Sequence, residues 1–225
     1  NTLLLTIIVI FLTWSVGVPL GVLAAIKWKT PFDRVLTVLT SIGMAIPSFF
    51  FAILLLIFAV KSGWFPVGGL TSYNFNEMNF IQKVLDLAHH LFLPVTVLFT
   101  ISLAGLQRQM RANLLDVLDS DYIKFARAKG LSENKVVYKH AFRNTMIPLV
   151  TLLAGILPSL FGGMMITETV FGIDGIGRLA YQALKEGDIP FVMGYNMFLA
   201  ILTVIGTLFS DIMYSIVDPR VKLTK

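Results

Sequence analysis

The chain contains no cysteine, and in 225 residues it carries only 13 acidic and 18 basic side chains. Without cysteine there are no disulfides and no thiolate metal sites, while the redox compartment stays open. Charged residues make up 14% of the chain, against about a quarter in a soluble globular domain. Such a chain can enclose a core of ordinary size but cannot cover it with a solvated surface. Histidine is scarce too. His89 and His90 are adjacent, so on a helix they point differently and cannot form an i, i+4 metal pair. His140 lies in a basic stretch and reads as a surface contact rather than a base. No GxSxG, HExxH or P-loop GxxxxGK[ST] occurs. The chain binds no cofactor by any of these signatures, and if it works with ATP, another subunit must bind the nucleotide.

What is present is apolar. Hydrophobic residues reach 56% and the mean hydropathy is +0.80. This composition predicts an all-α polytopic membrane protein. Five apolar segments, roughly 3–26, 35–60, 91–110, 146–167 and 191–217, are of spanning length. A span needs about 20 residues to cross about 30 Å of hydrocarbon. Between them lie two longer gaps, 61–90 and 111–145, read as loops, with no repeat and no soluble domain.

The charges orient these spans. Fourteen of the 18 Lys and Arg fall between spans one and two, between spans three and four, and in the tail. The positive-inside bias places those segments in the cytoplasm and Asn1 outside. Asn1 is not a start methionine, so an earlier span or a removed leader is expected before it. Trp28 and Trp64–Phe65 sit at the predicted interfaces, where an aromatic belt belongs.

Glycine and proline punctuate the spans at Gly17, Pro19, Gly21, Gly43, Pro47, Pro94, Gly155, Pro158, Gly162 and Gly163. Close helix packing accounts for such residues, and so do bent helices around a path. Two acidic residues fall within or at the ends of apolar runs. Glu168 closes the fourth span and is read as interfacial; Asp211, late in the fifth near Ser210 and Tyr214, suits a partner. No acidic group stands at mid-membrane, which counts against a proton- or sodium-coupled carrier.

The stretch Asp121–Pro148 is a polar, basic island between two apolar runs. Asp119, Ser120 and Asp121 can start a helix in which Tyr122, Phe125, Ala126 and Lys129 share a face. Gly130 is a natural left-handed stop, and Ser132 can cap a second helix, Glu133–Asn144, with Val136, Val137, His140 and Ala141 in one stripe. Three partners compete for such a loop: anionic lipid, RNA, and a cytoplasmic protein. The two helices and the apolar stripe favour the protein, and topology argues against nucleic acid.

FARAKGLS, followed by YKHAFRNTMIP, resembles the cytoplasmic EAA-type loop of ABC importer permeases, nearest to the dipeptide/oligopeptide branch. The likeness extends to Asn1–Leu5, Gly17–Ala24, Trp64–Gly69, Glu168–Phe171 with Gly175–Gly177, and the ending Tyr214–Arg220. The family's glycine corresponds to Gly130 and its second alanine to Ala126. The glutamate position holds Lys124, the first alanine position holds Phe125, and Pro148 lies several residues further from the glycine than in the general pattern.

The resemblance implies one transmembrane permease domain over 1–225 with the type I importer fold, lacking a preceding N-terminal helix. It sits in the cytoplasmic membrane of a prokaryote and moves peptides inward. The implied partners are two ATPase subunits holding ATP and Mg, a second related permease, and an extracytoplasmic binding protein. Tyr122–Ser132 would be the coupling helix, with Tyr122, Phe125, Ala126, Ala128, Lys129, Gly130, Leu131 and Ser132 at the ATPase interface. Glu168, Phe171, Gly175 and Gly177 are candidates for an outer gate or loop, and Ser48, Phe49 and Met164 for the path. The same machinery with nickel chelates, glutathione or sugars as cargo, and a secondary carrier or channel, stand as alternatives.

Overall fold

The first helix, α1 (Thr2–Ile26), runs unbroken through Gly17, Pro19 and Gly21 in a computed structural model that describes residues 1–217. A Cβ at Gly21 would fall 2.6 Å from that of Met110, so the glycine is the price of close contact with a second long helix. That helix is α4 (Phe80–Leu118).

Between them the chain bends sharply. The predicted span 35–60 is two 15-residue helices, α2 (Pro31–Ala45) and α3 (Ser48–Ser62), set at 94°. Thr30 caps α2 and Pro31 occupies its first turn. The break falls at Ile46–Pro47. Ile46 is extended, as a residue before proline tends to be, and the bend follows from that local restriction.

Helix α4 is 39 residues long, about 58 Å at 1.5 Å per residue. It begins well before the predicted 91 and ends well after 110. Asn79 starts it with a capping box to Gln82, so its first turns stand clear of the apolar run. Hydropathy cannot see such an extension, because a helix need not stop where the lipid does.

Next come α5 (Asp121–Ala128), a seven-residue π-helix (Lys135–Ala141), α6 (Phe142–Val170), α7 (Ile176–Glu186) and α8 (Ile189–Val217). The expected second loop helix is therefore continuous with the fourth span, and Pro148 lies inside α6 rather than at its entrance. Among the described residues, α1, α4 and α8 are each long and apolar enough to cross a bilayer, and the bent α2–α3 pair together has the length and apolar character of a broken span or a re-entrant loop. Helix α6, with 29 residues, matches α8 in length. The basic tail residues Arg220, Lys222 and Lys225 and the ending 218–220 lie outside the described residues.

Helix α1 packs along α4, α6 along α8, and α4 against α6 joins the two pairs. Two apolar clusters hold this arrangement. Leu5, Val97, Met164 and Ile173 form one around the start of α1. Val22, Met110, Leu114, Ile123, Val136 and Leu149 form the other, which draws α5 onto the body.

Candidate functional site

The short helix α5 is built by local rules. Ser120 stands at its N-cap position, but its hydroxyl donates back to the Val117 carbonyl instead of capping the helix. Asp121 supplies the acidic first turn that the helix dipole favours. Gly130 ends the turn at φ +79°. Its N–H donates to the Arg127 carbonyl at 2.9 Å, and that of Leu131 to Ala126 at 3.4 Å, a Schellman stop.

The helix has one anchored side and one open side. Ile123 is fully buried in the second apolar cluster, and Ala126 and Leu131 are half-buried beside it. Tyr122 and Phe125 are 44% and 69% exposed, and Ala128, Lys129 and Ser132 are also exposed. Sequence reasoning missed Ile123. The signal was its i, i+3 spacing to Ala126, which competed with the bulkier Tyr122–Phe125 pair for the inward face.

Polar contacts complete the anchoring. The Asn144 side-chain amide donates to the Tyr122 hydroxyl at 2.7 Å. Arg127 makes a two-pronged pair with Glu133, Nη2 to Oε1 at 2.7 Å and Nε to Oε2 at 3.1 Å, across the Gly130 turn. The Arg127 guanidinium holds the Glu133 carboxyl below its ordinary range. Lys124, standing at the family's glutamate position, reaches Asp119 at 3.2 Å. The stripe Val136, Val137 and Ala141 is buried against the body, with His140 half-buried at its side.

At the far end of α6 lies a second constellation. Glu168, expected at the interface, is fully buried within the protein. Its Oε1 accepts the Thr2 hydroxyl at 2.6 Å and its Oε2 accepts the Arg178 N–H at 2.9 Å, while the Ile176 N–H donates to Thr2 Oγ1 at 2.9 Å. Helix α7 thus receives its N-terminal caps from α6 and α1, because its own N-cap residue, Gly175, has no side chain. Glycine is required there: a Cβ at Gly175 would collide with the carboxylate, and one at Gly177 would come within 2.8 Å of the Met165 backbone. Phe171 is buried, and its carbonyl accepts the Gly69 N–H at 2.9 Å, which ties the Trp64–Gly69 segment to the same end.

The three path candidates do not come together. Ser48 is half-buried at the first turn of α3 and Phe49 is exposed. Met164 has no exposed surface; it packs in the first cluster and its sulfur accepts the Thr6 hydroxyl at 3.5 Å, so it lines no opening. Asp211 is exposed, and it is the neighbouring Ser210 that is buried and bonded, to the Val150 carbonyl at 3.1 Å.

One pair went unseen in the sequence. Asp33, only 3% exposed, accepts Arg111 Nε at 2.6 Å and Nη2 at 2.8 Å, and also the Lys29 N–H at 3.1 Å. It joins the α1–α2 turn to α4. The hint was a lone acid at the head of a helix with basic neighbours.

The model of the family described as "Binding-protein-dependent transport system inner membrane component" matches residues 17–223. The chain belongs to that family. As a member it is a multi-pass membrane protein and a transport component. Among curated relatives, it is 42% identical over 223 residues to the oligopeptide transport system permease protein AppB of Bacillus subtilis, covering 99% of this chain and 69% of that one. A putative peptide transport system permease protein of Brucella abortus is 37% identical, over 98% of this chain and 68% of the relative. The peptidoglycan transport system permease protein YejB of Agrobacterium fabrum is 36% identical, over 95% of this chain and 60% of its own. Among solved structures, an inward-facing conformation of the MetNI methionine ABC transporter superposes with a TM-score of 0.73 at 20% identity, covering 96% of this chain and 93% of the other. That likeness establishes the type I importer fold.

Proposed function

We propose that this chain is one permease subunit of an ATP-driven importer that carries peptides inward across the cytoplasmic membrane of a prokaryote. Two separate ATPase subunits hold ATP and Mg, a second related permease completes the path, and an extracytoplasmic binding protein delivers cargo. The loops 63–79 and 171–175 then face outside, while α5 faces the cytoplasm. Peptide as cargo is favoured by the relatives, which are oligopeptide and peptide transport permeases by name.

The observation that carries this reading is the two-sided build of α5. Ile123, the Arg127–Glu133 pair and the Tyr122–Asn144 bond fix it to the body, while Phe125 and much of Tyr122 remain open. A partner seated on that open face moves a rigid helix, not a floppy loop, and so transmits displacement to α4 and α6.

The test is reconstitution with the ATPase subunits, the second permease and the binding protein in proteoliposomes, with labelled tripeptide outside. ATP-dependent accumulation is expected, and Phe125→Asp is expected to release the ATPase subunits. Absence of ATP-dependent uptake, or ATPase association indifferent to Phe125→Asp, overturns the assignment.

A further inference from the structure

Between α1, α4 and α6 lies a cleft of about 230 Å³. Thr13, Trp14, Ser102, Gly105, Gln109 and Ser159 supply its polar groups and its open floor, and no formally charged side chain lines it. Gln109 and Ser159 are exposed, so the cleft opens at the surface.

Two features separate it from a packing flaw. Thr13 is 5% exposed, and its hydroxyl has no hydrogen-bond partner among the described residues. A threonine in a helix normally donates back to the carbonyl one turn earlier, as Thr40, Thr96, Thr100 and Thr145 do here. A buried hydroxyl left unpaired is costly, and the Thr13 hydroxyl is free to bond a group that enters the cleft.

Gly105 is the second feature. Glycine inside a helix is destabilising relative to alanine. At Gly21 close packing explains it, but a Cβ at Gly105 would meet no atom within 4 Å. Packing does not ask for glycine there. Empty space does.

We propose that this cleft holds main-chain amide groups of a peptide in transit; the inference rests on the importer reading above. Its lining offers neutral donors and acceptors only. Ser159 donates to the Ile156 carbonyl at 2.9 Å and keeps lone pairs to accept, and Gln109 Nε2 donates to Asn113 at 2.9 Å, leaving its own carbonyl free. Every peptide residue except proline brings one N–H and one C=O, so such a lining recognises backbone while ignoring side-chain charge. Metal chelates and anions find no counter-charge. The volume is below the roughly 300 Å³ at which drug-sized pockets begin, which suits one or two residues at a time.

The experiment uses the complete transporter in proteoliposomes and reads tripeptide taken up per ATP hydrolysed. No uptake by the unmodified complex overturns the importer reading and this inference with it. With uptake present, Gly105→Ala, Gly105→Val and Gly105→Leu are expected to lower the ratio stepwise, and Thr13→Val to lower it about fivefold, as loss of one hydrogen bond would. Ratios unchanged in Gly105→Leu and Thr13→Val overturn the cleft while the importer reading stands. If the leucine variant does not assemble, Gly105→Cys decides the matter, since the chain is otherwise free of cysteine. Tripeptide during turnover should slow its labelling by a small thiol reagent, and equal rates with and without tripeptide overturn the proposal.

Discussion

Glu168 accepts the Arg178 backbone N–H at 2.9 Å, so a side chain from the end of α6 caps the start of α7. The Thr2 hydroxyl bonds the same carboxylate from the head of α1, 166 residues away in the chain. Three helix ends therefore meet on one buried acid. The family resemblance pointed to this region as an outer gate or loop; the hydrogen bonds there clasp α1, α6 and α7 together at that end.

Removing the acid should loosen the clasp. Glu168→Ala leaves the buried Thr2 hydroxyl without its acceptor, at about 1–3 kcal/mol, and the part-buried Arg178 N–H without its own, at a smaller cost. Glu168→Gln keeps one acceptor and should lose less. Gly175→Ala, whose Cβ would strike the carboxylate, should resemble Glu168→Ala. Thermal unfolding of the purified chain in detergent reads the order, and a Gly175→Ala as stable as the parent contradicts the packing described.

Rigidity of α5 can be broken without touching its exposed residues. Ala126→Pro removes an N–H inside the helix and clashes with the preceding turn, about 3 kcal/mol or more. Membrane insertion should persist while uptake is lost and ATP hydrolysis runs uncoupled. Unchanged uptake in that variant would falsify the coupling role.

The anchored and open sides of α5 should separate by mutation. Ile123→Ala deletes a fully buried side chain and should cost about 2–5 kcal/mol. Phe125→Ala, on the open side, should leave stability within about 0.5 kcal/mol yet weaken ATPase association. Co-purification alongside thermal unfolding distinguishes them; equal stability losses would mean that Phe125 is also core.

Acid should release the Arg127–Glu133 clamp. The guanidinium lowers the Glu133 pKa, so the clamp's contribution is present above the unfolded pKa of about 4.3 and fades as pH falls through the depressed folded value. Both side chains are well exposed, and solvent screening limits the pair to less than about 1 kcal/mol. Amide exchange in α5 should therefore be similar from pH 8 to pH 5, after correction for intrinsic rates, and faster relative to that baseline near pH 3. Arg127→Ala should show no such acid step, and a step that persists there assigns it to another group.

Part of this protein was legible before any coordinates. Apolar runs of spanning length declare buried helices because burial in lipid is a property of each segment's own side chains. Gly130 declared its left-handed turn, and the order helix, glycine, helix around it held, because φ > 0 is a demand made on one residue. Pro47 marked the second span for a kink for the same local reason, though not for its 94°.

What lay beyond the sequence were the relations between distant segments. The inward turn of Ile123, the burial of Glu168, the Asp33–Arg111 pair and the enclosure of Met164 each depend on which helix arrives beside which. Whether a carboxylate is solvated or clasped is decided by donors far away in the chain. Hydropathy and turn chemistry are local and can be read in order along the chain; desolvation and hydrogen-bond partnership are pairwise, and only the packed helices supply the second member of each pair.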